Sequence, residues 1–134
     1  MPYTKTAWVD DSTPGISATN LNNIEDGVEA ALDFTELWQV LTIGSPNTWV
    51  SVNLSGYGVP QGAVAWIKFI CKGASHLYGG VRKSGSALDR RETVDGNGGD
   101  ALWPVKTTGA NATVELYTQD TTNNKAYLVG WTGL

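Results

Sequence analysis

Ala63-Val64-Ala65-Trp66-Ile67-Lys68-Phe69-Ile70-Cys71-Lys72 is the stretch that decides the fold class. In an extended chain Ala63, Ala65, Ile67, Phe69 and Cys71 fall on one face, and all five are apolar. Val64, Trp66, Lys68, Ile70 and Lys72 fall on the other, which is mixed. A helix would scatter these residues around its circumference, whereas a period of two gathers them. The stretch therefore predicts a strand with one face in a core. Upstream, strand-like runs at 38–43 and 48–54 flank the turn sequence Gly44-Ser45-Pro46-Asn47. Downstream, runs at 77–83, 101–107, 112–119 and 125–132 are each bounded by Gly, Asn or Thr. Seven short strands at this spacing predict an antiparallel β-sandwich, jelly-roll-like, over residues 38–134.

Composition agrees with a β-rich, turn-rich chain. Of 134 residues 16% are charged and 16 are glycine, against a usual charged share of roughly a quarter. Six Trp, five Tyr and two Phe supply ample apolar surface, which excludes a disordered chain. Cys71 is the single cysteine, so a disulfide scaffold is excluded. No apolar run is long enough to span a membrane, and Met1-Pro2-Tyr3-Thr4-Lys5 lacks the apolar core of a secretion signal. The expectation is synthesis in a cytosol without classical export. A net charge of -4 argues against nucleic acid as a partner.

Charge also divides the chain. Residues 1–37 carry Lys5 against seven acids, a net of -6, and residues 38–134 carry a net of +2. Residues 1–17 read as an extended arm, because Pro2 and Pro14-Gly15 break helices and Asp10-Asp11-Ser12-Thr13 reads as a turn. Tyr3, Trp8 and Ile16 have no local core to fill, and are the candidate anchors of this arm. A helix is expected over 18–36, with Ser17 or Thr19 as N-cap. Leu21, Ile24, Val28 and Ala31 follow at spacings of three, four and three, with Glu25, Asp26 and Glu29 on the wet side. A helix this short is marginal by itself in water. It must pack either on its own sandwich or on other copies, and the apolar arm beside it favours a trimerising seam.

Residues with reactive chemistry are few. His76 is the only histidine, so neither a His-based metal cluster nor a Ser-His-Asp triad with a spare base is available. Cys71 lies on the apolar face of its strand, where a thiol acts as a small hydrophobe. The carboxylates of the β region are scattered, and no cleft-spanning pair is evident. Asp95-Gly96-Asn97-Gly98-Gly99-Asp100 has oxygens spaced like part of a calcium loop, but no downstream Glu completes the set. The expectation is a non-enzymatic chain with no cofactor and no metal. Trp49, Trp66, Trp103 and Trp131 read either as core and interface residues or as a sugar-stacking platform. Trp66, on the mixed face, is the best candidate for a surface role. Arg82-Lys83 and Arg90-Arg91 form a basic cluster whose arginines either pair with Asp89 and Glu92 or touch an acidic partner. Trp66, Arg82 and Arg90 are therefore the candidate surface or glycan contacts.

Residues 6–28 run Thr-Ala-Trp-Val-Asp-Asp-Ser-Thr-Pro-Gly-Ile-Ser-Ala-Thr-Asn-Leu-Asn-Asn-Ile-Glu-Asp-Gly-Val. The order of Trp, acidic turn, Thr-Pro, Ile and then Ala-x-x-Leu-Asn-x-Ile-Glu resembles the N-terminal segment of tailed-phage fibre proteins. Gly80–Ser86 and Tyr127–Trp131 are similar, less specifically, to small phage β-domains. The resemblance implies a virion appendage, commonly trimeric, anchored through its arm to capsid or tail proteins. Head fibre, decoration protein and short tail fibre stay open as positions. A host cell-surface glycan is the partner implied at the outer end. A free-standing carbohydrate-binding module is the competing class.

Overall fold

The computed structural model describes residue 19, residues 22–26, residue 28 and residues 33–133. Tyr3, Trp8, Ile16, Leu21 and Ala31 lie outside the described residues, as does the arm as a whole. Eight strands follow in order: β1 (Phe34–Leu41), β2 (Trp49–Asn53), β3 (Val64–Cys71), β4 (Leu77–Lys83), β5 (Arg91–Val94), β6 (Gly99–Lys106), β7 (Thr113–Thr118) and β8 (Asn124–Thr132). They form two antiparallel four-stranded sheets, β1-β8-β3-β6 and β2-β7-β4-β5.

The pairings β1 with β8, β2 with β7, β3 with β6 and β4 with β5 are those of one long hairpin folded at the β4–β5 bend. Rolling that hairpin brings β3 against β8 and β4 against β7. This is the eight-stranded jelly roll, built from two Greek keys. The expectation of a mainly β, jelly-roll-like sandwich is met.

The β3 alternation works as its sequence requires. Ala63, Ala65, Ile67, Phe69 and Cys71 are buried between the sheets, while Val64, Trp66, Lys68 and Ile70 are half-buried on the outer side. Opposite them, Val81, Val94, Val114 and Leu116 come from the second sheet, while Leu128 lies beside the β3 residues on β8 of the same sheet, all without exposed surface. Each such side chain contributes roughly 1.5–3 kcal/mol by leaving water. Two polar contacts pin the sheets to each other inside this apolar layer. Asn124 on β8 donates through Nδ2 to the Tyr78 carbonyl on β4 at 3.1 Å. Thr118 on β7 donates through Oγ1 to the Asn124 carbonyl at 2.9 Å.

Two boundaries differ from the sequence reading. The expected helix ran to residue 36 and the first strand began at 38, but β1 begins at Phe34. The reason is tertiary, because Phe34, Thr35 and Glu36 pair with Thr132, Trp131 and Gly130 of β8. The eighth strand, β5, fell within the expected basic loop. Only Val94 of its four residues is buried, so the segment carries almost no apolar periodicity.

Candidate functional site

Residues 22–26 are helical, and Ile24 and Val28 of the expected seam are 41% and 53% exposed. Six residues after Val28 the chain enters β1, an edge strand of the first sheet. There Phe34, Trp38 and Val40 are exposed apolar residues on the outer side, while Leu37 packs against the core and Leu41 is buried within it. Strand β1 thus carries apolar residues on both faces, interrupted by Thr35, Glu36 and Gln39.

The outer face of the β1-β8-β3-β6 sheet carries further apolar residues beside charged ones. Trp66 lies in register with Pro104 of β6 on one side and Gly130 of β8 on the other. The Phe34 ring lies over Gly130, where a Cβ would collide with it and with the Thr35 carbonyl. In the next row Lys68 stands between Leu102 and Tyr127. Trp38 stacks on Tyr127 with centroids 4.9 Å apart and planes 22° from parallel, leaving it 59% exposed. Leu102, on the far edge, is 52% exposed. The charges on this face are of both signs: Lys68 pairs with Asp100 at 2.9 Å, and Glu36, Lys106 and Lys125 are exposed.

The outer face of the second sheet is different, because the β4–β5 loop folds over it. Glu115 accepts from Arg82 Nη2 at 3.0 Å and from the Gly85 amide at 2.7 Å. Arg82 Nη1 donates to the Leu88 carbonyl at 3.3 Å, and its guanidinium lies 4.3 Å from the Trp49 ring. A Cβ on Gly80 would stand 2.8 Å from the Arg90 carbonyl and 3.0 Å from Trp49, so only glycine lets this layer close down. Arg91 lies over Tyr117 and grips Asp89 through two contacts of 2.6 Å, which hold the Asp89 carboxyl below the usual carboxylate range.

The candidate contacts Trp66, Arg82 and Arg90 are thus not brought together. Trp66 sits on the outer face of the first sheet, whereas Arg82 is tied into the second and Arg90 is half-buried beside it. The expected pairing of arginines with Asp89 and Glu92 is met for Asp89 by Arg91, while Arg82 takes Glu115, thirty-three residues away in sequence. Nor do the four tryptophans make one platform. Trp103 is buried edge-on against Phe69, Trp131 packs against the core, and Trp49 lies under Arg82. Trp38, the most exposed of the described indoles, is absent from the residues that the sequence reading singles out. Its signal is the alternation of Trp38 and Val40 with Leu37 and Leu41.

Cys71 is fully buried, with Sγ 3.5 Å from the Ser75 carbonyl. His76 accepts the Gly96 amide at Nδ1, 3.2 Å away, and the same nitrogen lies 3.2 Å from Asp95 Oδ1. A cleft of about 470 Å³ opens at one end of the sandwich, lined by Leu41, Ile43, Thr118, Thr121 and Asn124 among others, with Lys125 the only ionisable residue among the described residues lining it. Among the described residues no three His, Cys, Asp or Glu side chains gather as a metal site would require. Comparison of the chain with protein-family models, with curated proteins and with solved structures finds no match.

Proposed function

We propose that the chain is a non-enzymatic structural component of a tailed-phage particle, a small trimeric fibre or decoration protein. Residues 1–17 attach it to capsid or tail proteins, the following helix trimerises it, and the jelly roll projects outward to meet the host surface. The observation that carries this reading is the exposure of Ile24 and Val28. A helix laid on its own sandwich would bury those two side chains first. Left in water they offer a seam to other copies, and the phage-like order of residues 6–28 surrounds them. Jelly rolls serve viral capsids and lectins alike, so the fold supports the reading by analogy alone.

Two measurements test it. The full chain sediments as a trimer at micromolar concentration, and Ile24→Asp with Val28→Asp gives monomers that keep the β signal. Deleting residues 1–16 leaves a folded oligomer that no longer joins particles lacking the protein. A wild-type monomer, or full decoration by the truncated chain, overturns the corresponding half of the proposal.

The competing reading is a carbohydrate-binding module, favoured by Trp38, whose indole is held nearly parallel to Tyr127 with much of its surface in water. Glycan-array binding by the wild type that is lost in Trp38→Ala supports that reading instead.

A further inference from the structure

Among the described residues the sandwich covers its two outer faces unequally. The outer side of β2-β7-β4-β5 is covered by its own loop through Arg82, Gly85, Leu88 and Glu115. Among the described residues the outer side of β1-β8-β3-β6 has no such cover, and Phe34, Trp38, Val40 and Leu102 stand exposed on it. We infer that this face is where the sandwiches of neighbouring copies of the chain pack against each other. The inference rests on the trimer reading and deepens it, since it extends the interface from the helix to the β domain.

Three observations point to a second copy as the occupant. First, the two apolar surfaces are continuous in the chain: Ile24 and Val28 on the helix are followed by Phe34, Trp38 and Val40 on β1. Copies joined along the helix are therefore delivered to one another at this strand. Second, the exposed apolar area of this face falls short of an interface by itself. The exposed parts of Phe34, Trp38, Val40 and Leu102 amount to something on the order of 400 Å². That area is divided between β1 and the opposite edge strand β6, and is about half of the ~800 Å² each partner contributes to a stable interface. The helix seam supplies more, so neither surface suffices alone. Third, the charges suit a self-partner. Glu36 stands on the β1 edge, and Lys106 and Asp100 on the β6 edge, of the same face. In a cyclic trimer each contact is head-to-tail, so the acidic edge of one copy meets a different part of the next. A partner of strong single charge would find no matching field here.

The test uses the full chain and two kinds of variant. Trp38→Glu with Leu102→Glu places charge on two exposed positions, and circular dichroism checks that the fold is kept. Sedimentation equilibrium is expected to show a trimer that dissociates roughly 30-fold more readily per contact, as loss of an aromatic anchor does. Separately, Leu102→Cys introduces a thiol on this face, and the native Cys71 does not compete for reagent because it is fully buried. Labelling of the introduced thiol by a maleimide is expected to be slow in the trimer and fast after dilution or in the Ile24→Asp, Val28→Asp background. If the wild type is a trimer, the helix variant dissociates it, and the face variant does not, the inference fails while the trimer reading stands. Fast labelling of the Leu102→Cys variant in intact trimers overturns it equally. If the face variant stays trimeric but loses binding on a glycan array, the face belongs to a sugar and the inference is wrong. A monomeric wild type removes the trimer reading and this inference together.

Discussion

Gly130 and Asp120 show how single residues hold the sandwich in shape. Gly130 has φ of +150°, and the Phe34 ring and Thr35 carbonyl occupy the place of its missing Cβ. Any side chain there is strained by its backbone and also lifts β1 off β8. Gly130→Ala is expected to destabilise by about 2–3 kcal/mol, lowering the melting midpoint by roughly 10 °C in a scanning calorimeter. Asp120 closes the β7–β8 turn. The Asn123 side-chain amide and the Asn123 and Thr122 backbone amides, at 2.8 to 3.0 Å, hold its carboxyl below the usual carboxylate range. A carboxyl whose pKa is lowered on folding stabilises above its unfolded value and loses that contribution as pH falls through the folded one. The wild-type melting midpoint should therefore drop more steeply than that of Asp120→Asn below about pH 4, and the curves should run parallel near neutrality. Parallel curves throughout would remove Asp120 from the turn's stability.

At the scale of elements, β1 is the strand with two tasks. Its inner side sends Leu37 and Leu41 to the core, and its outer side carries Phe34, Trp38 and Val40 at the sheet edge. Edge strands of monomers are normally blunted by charge, Pro or cover. Strand β6, at the opposite edge, follows that rule with Pro104, Asp100 and Lys106. Strand β1 has Glu36 and a register shift between Glu36 and Gln39, but its remaining outer positions are apolar. The double change at Trp38 and Leu102 probes both borders of this face. The β4–β5 loop is the contrasting element. Its basic residues engage Glu115, Asp89, Trp49 and Tyr117 within the same domain.

For the whole molecule, the buried core runs from Leu41 to Leu128, with Leu37 and Trp131 packed at its margins. No described residue before β1 enters it. About a hundred residues suffice for an independent sandwich. Residues 33–134 are accordingly expected to fold alone, melting within about 2 °C of the Ile24→Asp, Val28→Asp monomer. A fragment that stays unfolded by circular dichroism would mean that the N-terminal segment contributes to the fold itself. The class of this domain is legible in local pattern, because a period of two in residues 63–72 and six similar runs leaves only paired sheets as a way to bury them. Local pattern also places Cys71 inside and puts Ile24 and Val28 on one helix. Which strands pair is settled in three dimensions, because register and sheet order depend on contacts between distant segments that no local pattern encodes. That is why β5, with one buried residue, leaves no trace in the sequence, and why Phe34 belongs to a strand. It is also why Arg82, an exposed cation by its neighbours in sequence, is held by Glu115, whereas Trp38, adjacent to the inward Leu37, stands in the open.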